Sequence, residues 1–355
     1  MSEAKEQPGA GARPLSTVRP PSRRRRPRSP WARRIAAGAS GLVLLASVVC
    51  VMGRDWADGR LHRVPALAEY AGRPPSGAGV NWLIVGSDSR TDLSAEQRRR
   101  LHVGHAADGG RTDTIMLLHD GDSGPELVSL PRDSYVRIPA FTDRTGRRHP
   151  VQYNKANAAF ALGGPLLLTR TVEEATGLRL HHYAEIDFSG FVSVVDAVGG
   201  VRTCLSEAIH DSRSGARLAK GCRTLDGGQA LAFVRARYFD PEGDLGRVGR
   251  QRRLLSGLAD TAAQPSLVFN PFLLYPLVGS VLEAATVDEG SGAMDVSRLV
   301  LGLRGAVGGG ARTVPVGNAA ATAAGVGDVV LWDRARAEAL FDAMRGDRRL
   351  PPRLA

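Results

Sequence analysis

Nineteen consecutive residues, Ile35–Gly53, carry no charge. A helix of that length spans roughly 28 Å, close to the hydrocarbon thickness of a bilayer. Residues 1–34 hold Lys5 and nine arginines against Glu3 and Glu6, a net charge of +8 that leaves only +3 for the other 321 residues. The whole-chain charge of +11 is therefore a property of the tail and does not mark a nucleic-acid-binding domain. Arginines crowded before the apolar stretch place its N-terminal side in the cytoplasm and everything after Gly53 outside the cell. A cleaved signal peptide is the rival reading, but its apolar region is usually shorter, and no clear small-x-small site follows here.

This topology divides the chain. Residues 1–34, rich in Pro, Arg and Ser, cannot bury a core and are expected to be disordered. Residues 35–53 form the anchor and 54–78 an extracellular stalk. One soluble domain covers 79–350, and 351–355 are a short tail. Outside the membrane thiols tend to pair, so Cys204 and Cys222 are expected to form a disulfide rather than two free buried thiols. The closed loop of about 18 residues would add roughly 3 kcal/mol on the chain-entropy model. Cys50 lies in the apolar segment, where a structural role fits better than a lipid attachment site.

Short apolar runs at Asn81–Val85, Thr114–His119, Glu126–Leu130, Val201–Leu205 and Ala311–Val316 read as strands. Helical patterns alternate with them. Ala156–Leu162 stops at Gly163-Gly164-Pro165, and Leu166–Thr176 runs to a C′ glycine, Gly177. Phe188–Val198 ends at Gly199-Gly200. Asp226-Gly227-Gly228-Gln229 resembles a capping box before Ala230–Val234, and Gln251–Ala263 and Arg334–Met344 are also helical. Intermixed strands and helices give the α/β class, with helices on both faces of a sheet.

Four clusters share an Asp beside an Arg at an element's end. They are Gly86-Ser87-Asp88-Ser89-Arg90, Arg111-Thr112-Asp113-Thr114, Pro131-Arg132-Asp133-Ser134, and Arg235-Ala236-Arg237 followed by Asp244, Arg247, Arg250 and Gln251. One such pair is ordinarily a surface ion pair worth under about 1 kcal/mol. Four of them near strand or helix ends, where open α/β sheets bind ligands, point to one site for a polyanion and a metal. Guanidinium forks suit phosphate oxygens, and Mg²⁺ takes carboxylate oxygens when it also holds phosphates. No Gly-x-x-x-x-Gly-Lys-Ser/Thr loop, Gly-x-Ser-x-Gly elbow or His-Glu-x-x-His is present, and the adjacent His181 and His182 point apart on any regular element.

The order of these motifs resembles the LytR-CpsA-Psr family of envelope proteins, particularly its actinobacterial members. The matching words are Val85–Arg90, Arg111–Thr114, Ser129–Ser134, Lys155–Phe160, Glu185–Phe191, Val195–Val201, Leu225–Leu231, Arg235–Arg237 and Gly243–Gln251. The resemblance covers about Gly79 to Leu350. It implies an α-β-α sandwich with a central mixed sheet and a tunnel for a polyprenyl tail, for which Phe160, Phe188 and Phe191 are candidates. It also implies a phosphotransferase that moves a glycopolymer from a polyprenyl-pyrophosphate carrier to peptidoglycan. Asp88 and Asp113 would hold Mg²⁺. Arg90, Arg132, Arg235, Arg237, Arg247 and Arg250 would bind the pyrophosphate, and Asp244 and Gln251 would orient that set or the acceptor. Arg132, Asp133, Arg237, Asp244 and Arg247 are the catalytic candidates, with Asp133 and Asp244 both open as the base. A receptor for polyprenyl phosphates would use the same arginines without chemistry, and an extracellular lipid pyrophosphatase would differ only in accepting water. A transcriptional regulator would need its globular part on the other side of the membrane.

Overall fold

Alternation in three apolar strands dictates the sheet. In β2 (Val80–Ser87) Leu83 and Val85 face one side while Trp82 and Ile84 face the other. In β3 (Thr112–Asp120) Ile115 and Leu117 oppose Met116 and Leu118, and in β4 (Glu126–Leu130) Val128 and Leu130 oppose Leu127. A period of two gives a sheet apolar on both faces, which has to be covered twice. The computed structural model describes residues 52–89, 93–104, 110–143, 145–236, 270–309 and 312–349, with isolated positions between 254 and 264. The chain divides into two units, Met1–Met52 and Gly53–Ala355, and the sheet with its helices belongs to the second. Most of the expected anchor, and the helix expected at Gln251–Ala263 apart from those isolated positions, fall outside the described residues. Among the described residues no helix is long and apolar enough to cross a membrane.

With β1 (His62–Val64), β5 (His182–Ile186), β6 (Ala285–Asp288) and β7 (Arg312–Thr313), the central sheet has seven strands in the order β1-β6-β5-β2-β3-β4-β7. It is mixed: β1–β6, β5–β2 and β4–β7 run parallel, and the other neighbours run antiparallel. Helices α2 (Ala156–Thr176) and α7 (Arg334–Arg345) pack on the Leu83 face, and α6 (Ala293–Gly309) covers the Trp82 face through Leu299 and Ala306. The expected α-β-α sandwich is what forms. Further helices among the described residues include α1 (Ala95–Arg100), α3 (Phe188–Ala197), α4 (Gly227–Arg235) and α5 (Pro271–Ala284).

The stretch read as a stalk is part of this domain. β1 joins the sheet edge, Ala66 is fully buried in the main core, and Arg73 reaches the buried carboxylate of Glu173. The expectation of a stalk failed because three residues of strand are too few to show alternation, and their partner lies more than 200 residues away. The stop at Gly163-Gly164-Pro165 proved to be a kink within α2. Gly164 takes φ 70, ψ −160, so the run bends and restarts at Pro165. Proline disfavours helical geometry in the residue before it, and glycine tolerates the positive φ. Gly177 ends the helix at φ 66, as expected of a C′ glycine. The strand expected at Ala311–Val316 is shorter: β7 stops before Val314-Pro315, since proline cannot donate to a ladder.

A second small core surrounds the antiparallel pair Val201–Leu205 and Gly221–Leu225, built from Val195, Val201, Leu205, Leu218, Leu225 and Phe233. Cys204 and Cys222 stand opposite each other in this pair and are bonded. α4 starts at the Asp226/Gln229 capping box, with Gln229 N–H donating to Asp226 at 2.8 Å.

Candidate functional site

Strand direction brings three of the four clusters together. β2 and β3 are antiparallel with Gly86 opposite Thr114, and β3 and β4 are antiparallel with Ile115 opposite Leu130. The end of β2, the start of β3 and the end of β4 therefore share one edge of the sheet. Asp88, Asp113, Arg132 and Asp133 all lie there. β5 runs parallel to β2 with Ile186 beside Gly86, so Asp187 and the start of α3 reach the same edge. Asp187 caps α3 by accepting the Gly190 N–H at 2.7 Å, which fixes Phe188 at the rim.

At the first strand end the register shifts between Gly86 and Ser87, and such a bulge re-aims the side chains beyond it. Asp88 donates its N–H to the Arg111 carbonyl at 2.8 Å, and its Oδ1 accepts the Arg111 N–H at 2.5 Å. A methyl group placed on Gly110 (φ 61) would lie 3.8 Å from both Asp88 Oδ1 and the Phe160 ring. Those are ordinary contact distances, so it is the left-handed backbone at Gly110, and not crowding, that favours glycine there.

The third cluster is braced by charge. Arg132 Nη1 donates to Asp113 Oδ1, and Arg132 Nε lies 3.4 Å from Asp133 Oδ2. Lys155 Nζ lies 3.3 Å from the other Asp133 oxygen. The Pro131–Ser134 turn is closed by the Ser134 N–H on the Pro131 carbonyl at 2.9 Å. The first N–H groups of α2 hold it in place, Ala156 donating to the Ser134 carbonyl (2.9 Å) and Asn157 to that of Arg132 (3.1 Å). These bonds satisfy two of the donors that a helix start leaves open.

Lys155 is the residue whose role sequence reasoning missed. It occupies the N-cap of α2 and makes no side-chain cap. A cation beside the positive end of a 21-residue helix is unfavourable unless an anion compensates it. That mismatch was the available signal, and Asp133 answers it.

Ser87 and Thr112 are opposed in register and both are buried. Among the described residues Ser87 Oγ and Thr112 Oγ1 have no hydrogen-bond partner. Asp88 and Asp113 stand at the neighbouring ends of β2 and β3. Their carboxylates are of the hard-oxygen kind that Mg²⁺ takes one or two of, completing its shell with phosphate oxygens and water. Among the described residues no three His, Cys, Asp or Glu converge, so a dedicated all-protein cage is not formed there.

Arg235, at the last turn of α4, lies 5.2 Å over the Phe188 ring, and its Nη1 and Nη2 donate to the Leu101 and His102 carbonyls, each at 3.1 Å. It braces the turn after α1. Of the three aromatic candidates, Phe160 belongs to the main core. Phe188 and Phe191 pack with Leu93, Val103 and Leu231 in a separate cluster. Arg90, Arg237, Asp244, Arg247, Arg250 and Gln251 lie outside the described residues.

Known proteins share both the sequence and the architecture. The probable cell wall biosynthesis protein LcpB of Corynebacterium glutamicum is 46% identical over 308 residues, covering 86% of this chain and 69% of that protein. The polyisoprenyl-teichoic acid–peptidoglycan teichoic acid transferase TagU of Oceanobacillus iheyensis is 34% identical over 204 residues. That match spans 57% of each protein, little more than half of TagU. The solved LytR-Csp2A-Psr enzyme from Actinomyces oris superposes with a TM-score of 0.60 at 22% identity, over 80% of this chain and 96% of that one, a likeness of fold. The model of the LytR_cpsA_psr family matches residues 68–298, which contain every strand-end cluster described above, and the chain belongs to that family.

Proposed function

We propose that this chain is a phosphotransferase that moves a glycopolymer from a polyprenyl-pyrophosphate carrier to peptidoglycan at the outer face of the plasma membrane. One observation carries the reading most: Asp113, Arg132 and Asp133 are joined by ion pairs at one sheet edge, and Asp88, hydrogen-bonded to the Arg111 backbone, lies at the same edge. Kinship with TagU, whose name describes such a transfer, supports the substrate class. The uncharged stretch Ile35–Gly53 supports an anchor with a cytoplasmic N-terminus.

In this reading a sugar hydroxyl of peptidoglycan attacks the phosphorus that bears the glycopolymer. The bond from that phosphorus to the bridging oxygen breaks, and polyprenyl phosphate leaves with the electron pair. Phosphoryl transfer of this kind needs positioning and charge neutralisation more than covalent help. Mg²⁺ held by Asp88 and Asp113 would supply charge neutralisation at the diphosphate when bound. Arg132, paired with Asp113, would exchange that carboxylate for a phosphate oxygen, keeping its charge paired before and after binding. Arg90, Arg235, Arg237, Arg247 and Arg250 would complete the diphosphate contacts, with Gln251 orienting them. Both oxygens of Asp133 face cations, so it acts best as a brace for Arg132 and Lys155. Asp244 is then the candidate to receive the hydroxyl proton. Phe160, Phe188 and Phe191 remain the candidates for contact with the prenyl chain.

The test is release of polyprenyl phosphate from a lipid-pyrophosphate glycan with a peptidoglycan acceptor and Mg²⁺. Asp88→Asn should keep lipid binding while transfer falls by roughly 10²–10³, the scale of losing one electrostatic stabiliser. Wild-type turnover in Asp88→Asn, or full activity in EDTA, would instead favour a polyprenyl-phosphate receptor or a metal-independent transferase. Equal product without acceptor would indicate a pyrophosphatase.

A further inference from the structure

Helix α5 is apolar on every side and yet half of it stands in solvent. Its sequence, Pro271-Phe-Leu-Leu-Tyr-Pro-Leu-Val-Gly-Ser-Val-Leu-Glu-Ala284, has one charge, Glu283 in the last turn. The C-terminal half is docked. Leu282 is buried, Gly190 of α3 lets the Ala284 backbone approach, and Glu283 pairs with Arg60. The N-terminal half projects: Phe272 is 86% exposed, Tyr275 57% and Leu273 52%, with Pro276 and Val278 also open. A helix apolar all round belongs in a protein core or in lipid, and contiguous exposed apolar surface marks an interaction site.

Its neighbours say which. Residues 54–58 are helical and directly follow the uncharged stretch Ile35–Gly53. Trp56, in that helix, stacks on Tyr275 with ring centroids 4.5 Å apart, and Arg60 lies 4.4 Å over the Trp56 ring. Arg54, at the start of the same helix, is largely exposed. Paired aromatic rings flanked by arginines are the composition of the bilayer–water boundary. A chain leaving a bilayer near Gly53 brings Trp56, and with it Tyr275, to that boundary. The projecting turns, Pro271–Val278, are about 12 Å long, and interfacial helices bury an apolar face of this kind about 5–10 Å into the headgroup boundary.

We propose that α5 is an interfacial membrane helix whose first two turns insert into the outer leaflet beside the point where the chain emerges. The proposal rests on reading Ile35–Gly53 as an anchor, and it adds a second contact that fixes the domain's tilt. That tilt has a use. β6 follows α5 directly, and its Ala285 is paired with Ile186 at the sheet edge that carries Asp88 and Asp113. Seating α5 therefore holds this edge toward the plane where a lipid-linked diphosphate lies.

The test uses the full chain with Cys50→Ala, reconstituted in nanodiscs of phosphatidylglycerol and phosphatidylcholine. The Cys204–Cys222 disulfide leaves single introduced cysteines free for a nitrobenzoxadiazole label. Leu273→Cys and Tyr275→Cys report on α5, and Arg217→Cys, on an exposed hairpin, is the reference. The labels at 273 and 275 should be quenched by shallow doxyl lipids and be about five-fold less sensitive to aqueous iodide than the label at 217, as burial beneath the headgroups requires. Iodide sensitivity equal to that at 217 would overturn the proposal. Protection from both quenchers would also overturn it, showing instead that protein covers the helix, either a second copy or the chain's own residues 237–269. Alkaline carbonate extraction of the unsubstituted chain tests the anchor separately. Release by carbonate with doxyl quenching retained would sink the anchor and leave α5 as a peripheral contact.

Discussion

Glu173→Ala should destabilise the domain by about 4 kcal/mol, far more than a typical single substitution. Glu173 is 1% exposed on the second half of α2, and its two oxygens serve four donors. Arg73 Nε lies 3.0 and 3.2 Å from them and Arg73 Nη2 2.9 Å from Oε1. The Tyr70 hydroxyl donates at 2.8 Å and the buried Leu180 N–H at 2.9 Å. The Arg73 side chain is only 7% exposed, so truncation leaves an enclosed guanidinium without its main anion. Breaking a buried ion pair on one side costs about 3–5 kcal/mol, and stranding a buried N–H costs about 1–3 kcal/mol. The two costs overlap because water entering the vacated space serves both, which keeps the total near the lower sum. Glu69, 2.7 Å from Arg73 Nη1, is well exposed and can compensate only in part. Urea unfolding of wild type, Glu173→Ala, Arg73→Met and the double variant Arg73→Met/Glu173→Leu measures this directly. The double variant should recover most of the loss, because an apolar pair leaves no unpaired charge. A loss under about 1 kcal/mol for Glu173→Ala would refute the reasoning and restore residues 54–78 to the status of a loosely held stalk.

The fold also makes stability depend on pH and on redox state. His181 Nδ1 accepts the Asn81 N–H at 3.0 Å, and burial first, then the neighbouring charges of His182 and Arg179, hold its pKa below the usual value. The unfolded chain binds a proton at about pH 6.5 while the folded one does not, so stability should decline as pH falls below about 6.5 and level off under the folded pKa. Chemical denaturation between pH 7.5 and 5 checks this against His181→Asn, which should flatten the slope; an unchanged slope assigns it elsewhere. Alkylation of the unreduced, unfolded exported protein should label neither Cys204 nor Cys222, and replacing both should cost about 3 kcal/mol on the loop-closure estimate; full labelling of both would show that the bond does not form there.

Much of the layering was legible because local rules and tertiary packing agree. β2, β3 and β4 show their alternation over five or more residues, α4 announces itself by its capping box, and Gly177 marks a helix end. Strands β1, β5 and β6 were not visible. His182–Ile186 carries two polar residues in five, and Ala285–Asp288 follows an apolar helix without a turn signal, so only non-local pairing makes them strands. Helix α5 was obscured by its prolines and its lack of a polar face. At the site the Asp and Arg words were readable, and the sheet brings Asp88, Asp113, Arg132 and Asp133 to one edge. Their internal wiring was not, because the ion pairs among Asp113, Arg132, Asp133 and Lys155 depend on how α2 abuts the Pro131–Ser134 turn.

The edge pairing of β1 also has a temporal side. About 220 residues of chain separate His62 from Thr286, its partner in β6. A ribosome adding roughly 5–20 residues per second needs on the order of ten to forty seconds to cover that distance. Throughout this interval the first strand of the sheet exists without the strand it pairs with. A long apolar strand left waiting would invite pairing with a neighbouring nascent chain. His62-Arg63-Val64 offers three residues, two of them polar, and Pro65 removes the next backbone donor. The weak strand signal that hid β1 from a reading of the sequence is the same property that protects it during synthesis, and the earliest-made strand of the sheet waits longest for its partner.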